Sequence, residues 1–187
     1  MESYKFKPGQ TLGVIRDTLV GDLIAIGESL ESPNHGIHFT HIAPVVSYKD
    51  QTEVNEMLSE GDTMTDPKQY DNVKYVVFEP AIWWTPGQLE AINKKAAEQH
   101  ERGTKYDWVT TCVGFPLKFI QIVFRFKSPF WMSQTTDKRM ECAEKAAILF
   151  NTGWLAKSKD IPYKKPGEVD PDNYVCSGYQ KVVYKSF

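Results

Sequence analysis

The stretch VKYVVFEPAIWWTPGQLEAINKKAAEQHERG, residues 73–103, decides the fold class. Its first half is β-branched and aromatic and is stopped by proline, the composition of a buried strand. Its second half opens with Thr85 as a cap and Pro86 in the first helical position, and it closes on Gly103. That punctuation predicts a helix over 85–103. Upstream, GDLIAIG (21–27) is short, apolar and bounded by glycines, and reads as a strand. IHFTHIAPVVSY (37–48) reads as another, with Pro44 marking an edge position or a bulge. Residues 11–18 read as a short helix inside a lead-in spanning 1–19. The polar stretch 50–72, with its GD and DP punctuation, reads as loop. Downstream, KRMECAEKAAILFNTG (138–153) predicts a second helix, capped by Thr136 or Asp137 and ended by Gly153. On it Cys142, Ala146, Leu149, Phe150 and Gly153 share one face. YVCSGYQKVVY (174–184) is a final strand or a short helix. Strands, then helices, then a short closing element make an α+β domain. With no repeat, low-complexity tract or linker, residues 1–187 form a single domain.

Composition narrows the function classes. The 187 residues are 41% hydrophobic and 25% charged, which excludes wholesale disorder. Lys and Arg number 22 against 24 Asp and Glu, a net charge of -2, so there is no bulk electrostatic drive toward nucleic acid or anionic lipid. VGFPLKFIQIVFRF (113–126) is too short to span a bilayer and is broken by Pro116, Lys118, Gln121 and Arg125. It reads as a core helix or an amphipathic surface element, with a membrane-lying segment as the minority reading. MESYKFKPGQTLG has no apolar core of a secretory signal, so the expected location is the cytoplasm, or release without a signal peptide. Cys112, Cys142 and Cys176 cannot all pair within one chain, which fits a reducing compartment. No CxxC or Cys/His metal spacing occurs, which argues against a structural zinc site, and the thiol chemistry considered below requires no metal or organic cofactor.

The residues that carry chemistry are a cysteine and a histidine. A thiol nucleophile needs an available thiolate, an imidazole to take and return its proton, and a polar group to orient that imidazole. Cys142 lies in the first turns of its helix, where the helix dipole favours an anion. His41 lies on a strand, where its ring is rigidly aimed. Glu79 ends the next strong strand and meets His41 if the two strands are neighbours. Cys176 is the rival nucleophile and His38 the alternative base, while Cys112, in an apolar stretch, reads as a core residue. His35, His38 and His41 recur every third residue, but on a strand His38 and His41 point to opposite faces, which argues against a metal site. Against all of this stands plain packing, because free cysteine is among the most buried residue types. His100 reads as solvated. Trp83 and Trp84 line a groove, or divide between core and solvent. Tyr106, Asp107 and Trp108 read as a corner.

These segments, in this order, resemble the permuted members of the NlpC/P60 cysteine-hydrolase superfamily. GDLIAIG and FTHIAPVV resemble that family's GDL and histidine strands, and VVFEPA its next strand, which ends in glutamate. GTKYDW resembles its G-x-x-YDW stretch, RMECAEKAAILFNTG its nucleophile helix, and PGEVDPDNY its closing segment. YVCSGYQKVVY resembles the nucleophile helix of the unpermuted enzymes, which is what makes Cys176 a rival. Where the family has serine after the cysteine, this chain has Ala143. The resemblance implies a circularly permuted papain-like fold, with a small, partly barrel-like antiparallel sheet packed against helices. It implies Cys142 as nucleophile, His41 as base and Glu79 as the orienting group. The implied activity is thiol hydrolysis of an amide, in a cell-wall peptide or another small amide-containing substrate, through an acyl-enzyme. Two other readings stand beside it: an inert binding or structural module on the same scaffold, and a lipid-directed esterase or acyltransferase. Oligomeric state is not legible.

Overall fold

Eight strands and two helices make up the described part of the chain, in an α+β arrangement. The computed structural model describes residues 4–15, 39–107, 139–140, 142–155, 174–175 and 177–187. The strands are β1 (Thr11–Ile15), β2 (His41–Tyr48), β3 (Gln51–Leu58), β4 (Gly61–Thr65), β5 (Lys74–Pro80), β6 (Lys105–Tyr106), β7 (Arg139–Met140) and β8 (Gln180–Lys185). The helices are α1 (Pro86–Glu101) and α2 (Cys142–Leu155). Six strands form one antiparallel sheet in the order β4-β3-β2-β1-β5-β8, while β6 and β7 pair in parallel beside it. The sheet is open, ending at β4 and β8, so the partly barrel-like expectation is corrected.

Two further expectations are corrected here. Residues 11–18 were expected to be helical, but Thr11–Ile15 is a strand paired on both sides, with β2 and with β5. Long-range pairing of a β-branched segment overrides its short local pattern. Gly13 suits that central position, because a Cβ there would lie 2.6 Å from the Phe39 ring. Residues 50–72 were expected to be loop, but they hold β3, β4 and a 3-10 turn, Pro67–Tyr70. The polar punctuation marks two tight turns between short strands. Lys49 (φ 48°) and Asp50 (φ 62°) form the first, between the paired residues Tyr48 and Gln51. Two successive positive φ values are what a two-residue hairpin turn requires. Gly61 (φ 118°) opens β4 after the second turn, and a Cβ on it would meet the Thr104 carbonyl at 2.6 Å.

The remaining elements fall near their expected places. α1 begins with a reciprocal capping box between Thr85 and Gln88, with Pro86 next. α2 runs through Gly153 to Leu155 instead of ending at the glycine. Gly153 lies against Ile92 of α1, whose Cδ1 would be 2.6 Å from an added Cβ, so here the glycine serves helix–helix approach. Gln88 Nε2 donates to its carbonyl at 2.9 Å. The strand expected over 21–27, the stretch 113–126 and the caps Thr136 and Asp137 lie outside the described residues, as do His35, His38, Cys112, Trp108 and Cys176. Among the described residues no helix is long and apolar enough to cross a membrane.

The sheet is buried on both faces. Alternation along β5 sends Val76 and Phe78 to one side, into a core with Ile42, Val46, Ile92, Leu149 and Phe150. Tyr75 and Val77 go to the other, with Leu12, Val14, Val45 and Val54. Trp84 is buried and its Nε1–H donates to the Gly9 carbonyl at 3.1 Å, whereas Trp83 keeps 42% exposure; the pair divides between core and solvent. Both helices pack against each other and against β2. That packing brings the start of α2 to the start of β2.

Candidate active site

Two of the site residues expected from sequence open secondary-structure elements. His41 is the first residue of β2 and Cys142 the first of α2. Each side chain is therefore aimed by a rigid element, and each keeps 8% exposure. The structure brings the two together: the Cys142 side chain lies close enough to the His41 ring to favour its charge. Met57 clusters with Cys142, and Tyr106 and Ile148 pack against that pair. As the first residue of a helix, Cys142 also sits at the positive end of the helix dipole.

Glu79 does not join them, which corrects the expected orienting group. β1 lies between β2 and β5, so the two strands are not neighbours. Register adds to the separation. Across β1, Val14 pairs with both His41 and Tyr75, so His41 is level with Tyr75. Glu79 is four residues farther along β5, about 13 Å at strand rise. Its carboxylate instead accepts from Gln10 Nε2 at 3.1 Å and lies 3.8 Å from Lys181 Nζ of β8.

The carboxylate beside His41 belongs to Glu56 of β3. His41 Nε2 lies 3.2 Å from Glu56 Oε1. Glu56 is 2% exposed, and its Oε2 accepts from Thr65 Oγ1 at 2.7 Å. With Nε2 turned to Glu56, Nδ1 is the ring nitrogen left for the sulfur. Sequence reasoning missed Glu56 because QTEVNEML (51–58) looks like loop. Its centre, Val54–Met57, is buried on both faces, so no polar–apolar alternation shows. The pair of tight turns flanking it was the available signal.

The electrostatics match this geometry. Burial works against a charged His41, but the Cys142 sulfur and the Glu56 carboxylate outweigh it and push the ring up to about 9. Burial likewise works against the Glu56 carboxylate, but His41, Tyr70 and Thr65 hold it down at about 2. An imidazolium between a carboxylate and a sulfur is therefore the favoured state near neutral pH.

These shifts predict how stability depends on pH. Glu56 contributes above its ordinary value of 4.5, and that contribution is lost as pH falls toward 2. His41 contributes below 6.5, and its share is lost as pH rises toward 9. The part that His41 and Glu56 exert on each other is one interaction and counts once, at most about 3 kcal/mol. Lys145, which burial lowers to about 8, acts in the opposite sense, but only above that pH. Urea unfolding should therefore give highest stability between about pH 4.5 and 6.5, with a fall from 6.5 to 8 that His41→Gln abolishes. A flat wild-type profile over that interval would contradict the assignment.

A shallow groove of about 650 Å³ between the β2–β3 turn and α1 is lined by Tyr48, Leu89 and Asn93 among others, and includes neither His41 nor Cys142. Among the described residues no group of three His, Cys, Asp or Glu side chains is disposed to hold a metal ion.

The molecule is thus an α+β protein in which a helix start carrying a thiol meets an imidazole–carboxylate pair on an antiparallel sheet. Its fold is similar to that of metalloprotein yiiX from Escherichia coli O157:H7, of the DUF1105 group, with a TM-score of 0.61 over 97% of this chain and 98% of that one. The two are 17% identical, so the likeness is one of fold. No family model and no curated protein matches the sequence. This corrects the expected membership of the NlpC/P60 superfamily: the whole-length likeness is to a protein placed in a different group.

Proposed function

We propose that this protein is a thiol hydrolase that cleaves an amide, with Cys142 as nucleophile, His41 as general base and Glu56 as the group that orients His41. The observation that carries this reading is the contact between the first residue of α2 and an imidazole whose Nε2 lies 3.2 Å from a buried carboxylate. Near neutral pH the ring already holds the proton, so the sulfur attacks the acyl carbon as the thiolate, and the imidazolium gives its proton to the leaving nitrogen as the C–N bond breaks. Water then hydrolyses the thioester, with the same ring as base. The first N–H groups of α2 lack carbonyl partners inside the helix and serve as oxyanion donors. Met57, Tyr106 and Ile148 beside Cys142 give the acyl group apolar walls. We read the arrangement as papain-like, with imidazole preceding thiol along the chain. The yiiX protein is described as a metalloprotein. The described residues here do not cluster as metal ligands, and no step is assigned to a metal.

The test is alkylation. At pH 6, iodoacetamide followed by peptide mass spectrometry should modify Cys142 well ahead of Cys112 and Cys176. The preference should vanish in His41→Gln and survive dialysis against EDTA. Slow, equal labelling of all three thiols would overturn the reading in favour of an inert module. Labelling that changes on chelation would point to a metal at the thiol.

A further inference from the structure

We propose that Lys145, held by Asp62, is a positioning residue for the thiol–imidazole pair: it fixes the first turn of α2 against the β3–β4 hairpin and balances the charge that Glu56 presents to His41. The proposal rests on the reading of Cys142 and His41 given above.

The Lys145 side chain is 0% exposed, and its Nζ forms an ion pair at 2.5 Å with Asp62 Oδ2, whose side chain is also 0% exposed. Apolar residues of the same size would fill that space at lower cost, since both charges are stripped of water. Packing alone therefore does not account for the pair. Lys145 follows Cys142 by three residues, which puts the two side chains on neighbouring positions of the helix surface. Asp62 is itself fixed from several directions. Its N–H donates to the Thr104 carbonyl at 2.9 Å, and its Oδ1 accepts from Asn55 Nδ2 at 2.7 Å. His100 Nδ1 lies 3.1 Å from its carbonyl and 3.6 Å from Oδ1. Asn55 directly precedes Glu56 on β3. One short hairpin thus grips Lys145 and carries the carboxylate that faces His41.

Among the described residues, the charged groups around Lys145 come from β3, β4, α1 and α2. Asp62 of β4 and Glu56 of β3 act on it directly. His100 of α1 stands behind Asp62, and the buried Glu144 is its neighbour on α2. Burial draws the Lys145 ammonium down to about 8, against the hold of Asp62 and Glu56. At neutral pH, opposite charges alternate from His41 through Glu56 and Lys145 to Asp62. Removing the cation leaves Glu56 and His41 in a more negative field, which favours protonated forms.

The double variant Lys145→Met/Asp62→Asn separates a role in the site from a role in the fold. The exchange removes both buried charges at once and leaves neither uncompensated, so the thermal midpoint should stay near wild type. Net charge is unchanged in the double variant, so the field at Glu56 and His41 changes only through loss of the nearer cation: the pH profile of Cys142 labelling should move upward, seen as about twofold less labelling at pH 6, and Lys145→Gln, which removes the cation alone, should move it further. A folded double variant with the wild-type profile overturns the proposal. If the double variant does not fold, Lys145→Gln carries the same test, with an upward move expected and an unmoved profile again fatal. If neither folds, the pair is structural and the proposal falls. Failure of the parent reading looks different: wild-type Cys142 then labels no faster than the other cysteines.

Discussion

Turnover of an activated acyl compound such as p-nitrophenyl acetate should fall about a thousandfold when His41 is replaced by glutamine, the size of effect associated with a positioned acid–base group. Glutamine keeps a polar side chain at the start of β2 but cannot take the thiol proton. The residual rate should equal that of Cys142→Ala within about tenfold, because residues that act as a unit are not additive. The pH profile discriminates further. Where the imidazolium is favoured up to about 9, wild-type alkylation by the anionic iodoacetate should decline above that pH as the ring loses its charge. His41→Gln should show no such decline. A variant that turns over ester within threefold of wild type would remove His41 from the mechanism, whatever its distance from the sulfur.

The second large effect separates two glutamates. Glu56→Gln should lower turnover about a hundredfold, because an amide in place of the carboxylate no longer stabilises the imidazolium or fixes which nitrogen carries the proton. It should also destabilise the fold by about 3 kcal/mol, since it breaks a buried pair from one side. Glu79→Gln should leave turnover unchanged and stability within about 0.5 kcal/mol, as Glu79 meets Lys181 at 3.8 Å on a partly solvated strand. Parallel kinetics and urea unfolding on the two variants check this. The reverse ranking would restore Glu79 as the orienting group and contradict the register of β1 between β2 and β5.

These two residues also show where sequence reasoning reaches its limit. The α1 helix was legible because its cap, its proline and its closing glycine all act locally. Cys142 and His41 could be singled out because each sits at the edge of a recognisable periodic segment. The orienting carboxylate was not legible. Strand order decides which glutamate faces His41, and the pairing of Thr11–Ile15 between β2 and β5 is a long-range event that no local pattern records. Glu56 was hidden further because its strand is short, polar and buried on both faces. Family likeness failed in the same way, since each matching motif was a few residues long and none tested which strands are neighbours. Gly153 gives the opposite case. It reads as a helix end, yet it lies inside α2 because a neighbouring helix needs the space of a missing methyl.

The β2–β3–β4 meander already contains the imidazole, its carboxylate, and the Thr65 hydroxyl that holds the carboxylate. The sulfur arrives only with α2, far later in the order of synthesis. On a ribosome, the half that would accept a proton can assemble while the half that would give one is still being translated. Under the proposed reading, a nascent chain carries the imidazole–carboxylate pair without its thiol until α2 docks, and premature release would leave that pair without a nucleophile.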